Sequence, residues 1–182
     1  MVPGQLLLGR KARPGLGRHS LRKHMLRIGL AILVALAAFP VGAQGPLVGR
    51  ASVLDGDTVE IAGQRVRIQG IDAPESWQGC WDAGGKMYRC GQAAAKALDQ
   101  FLAQSRPTRC EFIEWDRYRR MVADCFRADG ASVGEWMVRS GHALDYRQYS
   151  QGAYAEVERQ AKAEKTGMWQ GKFDAPWDAR RQ

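Results

Sequence analysis

Residues 53–75 read VLDGDTVEIAGQRVRIQGIDAPE. Val59 and Ile61, then Val66 and Ile68, place β-branched side chains at alternate positions, the period of strands that bury one face. Asp55-Gly56 and Ala62-Gly63 supply turn residues between them. With the preceding residues from Leu47, the segment 47–71 reads as three short strands. In the strand 66–71, Val66 and Ile68 share one face, so Arg67 points to the other.

Outward from this segment the pattern changes. Residues 72–90, rich in Gly and Trp, read as a loop too long for a simple connection, the kind of insertion that carries function. From Gly91, Ala94, Ala97, Leu98, Phe101 and Leu102 recur at helical spacing, and Pro107 stops that helix. Two strands follow, 109–115 and 121–126, joined by the charged turn Asp116-Arg117-Tyr118-Arg119-Arg120. Ser132 and Glu135 form a capping box that opens a second helix through Arg139, with Gly141 ending it. A third helix is predicted over 152–165, capped by Gly167. The tail after Trp169 holds Pro176 and Trp177 and has no periodicity. Five strands with one helix between the third and fourth predict an α+β domain, an OB-like five-stranded β-barrel with about three packed helices.

The net charge of +8 suggests a nucleic-acid or membrane binder until its distribution is read. Residues 1–43 carry seven Lys and Arg and no acid, leaving twenty bases against nineteen acids in the remainder. The body is therefore nearly neutral, and any hold on phosphate must come from a few placed arginines. Within that first segment, Arg22, Lys23 and Arg27 precede the uncharged run IGLAILVALAA and the small residues Val41-Gly42-Ala43, the order of a secretory signal peptide. The run falls short of the roughly 20 apolar residues of a membrane span. The expected organisation is a signal peptide over 1–43, with Met25 as the true start, a domain over 44–172 and a tail over 173–182. The mature protein is expected to be periplasmic or secreted, monomeric and free of stable membrane association.

Four cysteines, Cys80, Cys90, Cys110 and Cys125, lack a CxxC pair, and the body holds one histidine, His142, which argues against zinc. Export favours disulfides, and of three connectivities local geometry favours Cys80 with Cys90 and Cys110 with Cys125. Buried free thiols are the alternative in a reducing compartment. Of the tryptophans, Trp136 and Trp169 are assigned to the core. Trp77 and Trp81, in the long loop, either cover a site or tether the loop, and His142 caps or packs a helix end.

Two polar segments exceed what a packed barrel needs: Asp55-Gly56-Asp57-Thr58 and the run from Arg67 to Glu75. Carboxylates at turns and strand ends can converge as hard oxygen ligands suited to calcium or magnesium. Arginine grips phosphate with a planar fork and keeps its charge. A bound cation, a carboxylate and two arginines are the parts phosphodiester cleavage requires. Asp57-Thr58 also suits a structural turn, and Arg67 could pair with Asp72 or Glu75 as a structural ion pair.

The blocks DGDTV (55–59), RIQGIDAPE (67–75) and DRYRR (116–120), followed by SVGEWMVRSGHA (132–143) and AEVERQAKAEKTGMW (155–169), resemble the thermonuclease family, the staphylococcal-nuclease type, over residues 48–170. The resemblance implies a calcium-dependent phosphodiesterase acting on DNA or RNA, with Asp57, Asp72 and the backbone carbonyl of Ala73 as calcium ligands. It implies Arg67 and Arg120 as the two catalytic arginines and Glu75 as the catalytic glutamate. Arg117 and Tyr118 correspond to residues that contact a terminal phosphate, and Tyr146 or Tyr149 is expected to stack on a base. Arg119 stands where the family commonly has glycine. The competing readings are a noncatalytic OB-type module that binds nucleic acid or protein, and an envelope structural domain held by its cystines.

Overall fold

The fold is taken from a computed structural model that describes residues 45–181; the signal peptide expected over 1–43 lies outside them. Alternation makes the sheet. Strands β1 (Leu47–Gly49), β2 (Ala51–Val53), β3 (Thr58–Ile61) and β4 (Gln64–Ile68) bury Val59, Ile61, Val66 and Ile68 in one core. Ala62 and Gly63 both take positive φ (51° and 79°), so Ile61 pairs with Gln64 across a two-residue hairpin whose twist matches its strands.

After β4 the chain does not continue as one strand. Gly70 turns it (φ 71°), and Ile71–Asp72 (β5) pairs instead with Leu144–Asp145 (β10). The expected loop also contains structure: Gly79–Trp81 (β6) and Met87–Arg89 (β7) form a small hairpin, and Cys80 is bonded to Cys90 at its base. Helix α1 (Cys90–Ala103) buries Ala94, Leu98, Phe101 and Leu102 as its spacing predicts. Strands β8 (Thr108–Trp115) and β9 (Met121–Phe126) follow, with Cys110 bonded to Cys125 directly opposite it. No cysteine is free among the described residues.

The main sheet runs β1-β8-β9-β4-β3-β2. Because β1 and β2 are consecutive, broken only at Arg50, one bent strand serves both edges and closes a barrel of the OB type. The β4–β9 pair is parallel, with Val66 opposite Met121 and Arg67 opposite Val122. Val66 and Met121 point inward, so Arg67 and the residues flanking Met121 point out together.

Helix α2 (Val133–Arg139) is capped by Ser132, whose Oγ accepts from Glu135 N–H at 3.2 Å; the Glu135 carboxylate pairs with Arg139 rather than reaching back. A single turn, α3 (Arg147–Ser150), precedes α4 (Ala155–Glu164), which starts later than predicted. Lys165 ends α4 in the left-handed conformation (φ 54°), not Gly167. Gly167 serves another purpose: a Cβ there would lie 2.3 Å from the Gly141 carbonyl oxygen, so it permits two backbones to meet. A 3-10 turn, Gly167–Gln170, and a last turn, α5 (Pro176–Ala179), complete the domain. Trp136 stacks on Phe101 at 4.2 Å in the main core. Trp169 and Trp177 join a second cluster around Cys80, Cys90, Leu144 and Met168, which seats the tail against the hairpin. His142 packs beside Trp136, where burial lowers its pKa.

Candidate active site

The turn at Asp55 builds the first wall. Asp57 N–H donates to Asp55 Oδ1 (3.0 Å), and a Cβ on Gly56 would lie 2.6 Å from that of Ala73, so only glycine lets the turn reach the β5 loop. Asp57 is buried; its Oδ1 accepts from Thr58 Oγ1 (3.0 Å) and its Oδ2 from Ala73 N–H (3.2 Å).

Arg67 spans two carboxylates. Its Nη1 donates to Asp57 Oδ1 (3.1 Å) and its Nη2 to Asp72 Oδ1 (3.0 Å), and Asp72 is wholly buried. Burial pushes Asp57 up to about 7, even against the opposing Arg67 charge. Glu75 follows two residues after Ala73, and its position depends on helix α1: a Cβ on Gly91 would lie 1.8 Å from the Glu75 carbonyl oxygen. Buried Gln78 accepts from Glu75 N–H (3.3 Å).

The β8–β9 turn forms the opposite wall. Asp116 Oδ1 accepts from the N–H groups of Tyr118 and Arg120 (2.9 Å each), and Asp116 Oδ2 accepts from Arg120 Nε (2.7 Å). Burial alone would raise the Asp116 carboxyl, but these bonds hold it below the usual carboxylate range. The Arg120 and Arg117 guanidinium groups lie over the Tyr118 ring at 5.6 and 5.7 Å. Arg119 takes φ 63°, which explains why glycine suits this position. A left-handed L-residue costs about 1–2 kcal/mol, of which glycine's looser unfolded chain returns about half. Arg119→Gly is therefore expected to raise stability by roughly 0.5–1 kcal/mol, read as a small increase in Tm.

Arg67, Glu75, Arg120, Arg117, Tyr118, Tyr146 and Tyr149 all line one cavity of about 350 Å³, and Asp57 and Asp72 lie behind it as partners of Arg67. Tyr146 has one face stacked on Trp177 (5.3 Å, 13°) and meets Tyr149 edge-on at 4.9 Å, while Tyr149 and Tyr118 are exposed. Trp77 and Trp81 do not line this cavity; the Trp81 backbone N–H instead donates to the Lys172 carbonyl at 2.8 Å.

One residue in the cavity escaped sequence reasoning. Arg180, just after α5, donates to Asp72 Oδ1 (3.2 Å), Asp72 Oδ2 (2.5 Å) and Glu75 Oε1 (2.7 Å). The available signal was Pro176, which suits the first turn of a helix, with Arg180-Arg181 four residues on.

No group of three His, Cys, Asp or Glu side chains is arranged to hold a metal among the described residues. The donor chemistry nonetheless fits a hard divalent cation. Two buried carboxylates and Glu75 are all-oxygen donors, the ligand type a hard divalent cation takes. Asp57 and Asp72, with the carbonyl of Ala73, would hold such an ion.

The family model described as "Staphylococcal nuclease homologue" matches residues 65–171, a span that excludes both Asp57 and Arg180. The chain is 50% identical over 142 residues to "Succinoglycan biosynthesis protein ExoI" of Rhizobium meliloti (strain 1021), covering 78% of this chain and 74% of that protein. It is 32% identical over 124 residues to an "Uncharacterized endonuclease" of Escherichia coli O157:H7, covering 64% and 72%. It is 33% identical over 128 residues to "Probable staphylococcal-like nuclease CAN1" of Oryza sativa subsp. japonica, covering 69% of this chain and 35% of that protein.

Proposed function

The chain belongs to the staphylococcal nuclease homologue family and is a nuclease; from that premise we propose that it is an exported, calcium-dependent enzyme that hydrolyses phosphodiester bonds of DNA or RNA. The observation that carries the reading is the convergence of Arg67, Glu75 and Arg120 on one cavity backed by Asp57 and Asp72. A purely binding module has no use for a glutamate between two arginines, since a carboxylate there repels phosphate.

The residues divide the work by position. A phosphodiester in the cavity meets the guanidinium groups of Arg67 and Arg120 from opposite walls, and both favour the extra negative charge of the pentacovalent transition state. Glu75 accepts the proton of the attacking water as its oxygen bonds to phosphorus, while the opposite P–O bond breaks and the leaving oxygen, departing with the bonding pair, takes a proton from solvent water. Arg117 and Tyr118 hold a neighbouring phosphate, and exposed Tyr149 offers a face to a base. Calcium held at Asp57 and Asp72, when bound, supplies positive charge to the phosphoryl oxygens.

Export is inferred from the basic-apolar-small order of residues 22–43 and agrees with two intramolecular disulfides. Fractionation of cells producing the full precursor tests it, and retention of intact precursor in the cytoplasm would reject it. The calcium assignment is tested by cleavage of a single-stranded oligonucleotide by oxidised protein with calcium, then with excess chelator. Activity is expected to fall at least about 100-fold in chelator and to return on adding calcium back. Cutting that ignores both additions would defeat this reading.

A further inference from the structure

Glu75 projects from the irregular segment between β5 and β6, where no strand or helix fixes its side chain. A carboxylate that must meet one water in one direction needs more restraint than that, because small misplacements of a catalytic group are costly. Among the described residues, its side-chain partner is Arg180, 105 positions away in sequence, at 2.7 Å. The same guanidinium also binds both oxygens of Asp72, so one planar group sets the spacing between the two carboxylates.

The segment that delivers Arg180 is anchored several times. Pro176 and Ala179 are buried, and Trp177 stacks on Tyr146. Gln78, which receives the Glu75 N–H, donates through Nε2 to the Asp174 carbonyl at 2.8 Å, so the Glu75 segment and the tail are tied through backbone as well as side chain. Gly171 backs onto the hairpin so closely that a Cβ would lie 1.9 Å from the Trp81 carbonyl oxygen. Charge also favours an arginine that stays in place. Asp57, Asp72 and Glu75, when ionised, exceed Arg67 and Arg180 by one negative charge. Adding a divalent cation and a phosphodiester monoanion makes the cluster neutral, whereas without Arg180 the loaded site would stay negative beside an anionic substrate.

We propose that Arg180 is a positioning residue of the hydrolytic site, holding the Glu75 carboxylate against Asp72 in the orientation that receives the proton of water. The inference rests on the reading of Glu75 as the water-activating group. It assigns the tail a part in the chemistry that the matched span 65–171 does not include.

The test is a double-mutant cycle on the oxidised full-length mature protein, with Arg180→Gln, Glu75→Gln and their combination, on a single-stranded oligonucleotide with calcium. Arg180→Gln is expected to lower kcat about 10- to 100-fold with KM changed by less than about threefold, and to cost nothing further in the Glu75→Gln background. Calcium affinity by titration calorimetry is expected to hold or to rise by up to about tenfold, since Arg180 no longer competes for the Asp72 oxygens, while kcat still falls. Arg180→Lys keeps the charge without the fork and is expected to lose less, which also provides a folded variant if Arg180→Gln does not fold. If Arg180→Gln keeps kcat within twofold, or raises it while calcium binds ten times more tightly, the guanidinium is a plug that the cation expels, and the proposal is overturned. Additive losses in the double variant would also overturn it. If Glu75→Gln itself stays fully active, the failure lies in the assignment of Glu75 and not in Arg180 alone.

Discussion

Arg67→Ala is expected to lower kcat/KM by about 10³- to 10⁴-fold, a loss of roughly 4–5 kcal/mol of transition-state stabilisation. Two losses combine. The guanidinium that faces the cavity is a preorganised cation in a partly dehydrated site, where such charges are worth several kcal/mol. The same group is the charge that Asp57 shares with Asp72, both carboxylates being buried. Removing it leaves buried Asp57 without its cation, while Asp72 keeps Arg180, so metal-free Arg67→Ala is expected to be less stable by about 2–4 kcal/mol. The two effects separate experimentally, because a cation at Asp57 and Asp72 restores stability by binding the folded state. Thermal unfolding with and without calcium should therefore show a larger calcium-induced rise in Tm for Arg67→Ala than for the parent, while cleavage stays low in both conditions. An active variant, or one whose Tm ignores calcium, would contradict the assignment of Arg67 and of the two aspartates together.

The legible part of this molecule was the part written in short periods. Alternation at Val59, Ile61, Val66 and Ile68 gave the strands, and from it followed that Arg67 leaves the core, because neighbouring residues on a strand point to opposite faces. Spacing from Ala94 to Leu102 gave α1 for the same kind of reason. Chain order together with five strands gave the barrel type. The disulfides were legible because one pair closes a local loop and the other sits opposite across neighbouring strands.

What stayed hidden depends on partners distant in sequence. That Arg120 emerges beside Arg67 requires the parallel register of β4 with β9, a pairing that no local pattern encodes. The β6–β7 hairpin has only three residues on each side, too few to show a period, and its inward residues Cys80 and Tyr88 pack on a cluster built from Leu144, Met168 and the distant tail. It read as loop for that reason. Helix α5 is a single turn, too short for periodicity, and Arg180 acquires meaning only through carboxylates 105 and 108 positions away. The tail that looked least informative is thus the one that brings Arg180 into the cavity and stacks Trp177 on the Tyr146 ring expected to receive a base.

Glu75→Gln is expected to reduce kcat by about 10²- to 10⁴-fold while leaving KM and calcium affinity close to the parent values. The substitution keeps shape and an acceptor oxygen, so Arg180 retains a partner, and buried Gln78 still receives the Glu75 backbone N–H. What it removes is the ability to take a proton, and with it one negative charge near the phosphate. The second effect alone would tighten substrate binding slightly, since a carboxylate next to an anion is unfavourable. A fall in kcat accompanied by an unchanged or lowered KM is therefore the signature of a group that works on water in the transition state. A rise in KM at constant kcat would instead make Glu75 a binding or structural residue. The variant also carries its own stability control. Because the side chain is about a third exposed and its ion pair with Arg180 is only partly shielded, the change in unfolding free energy should stay below about 1 kcal/mol. Large loss of turnover with an almost unaltered Tm would locate the defect in the chemical step.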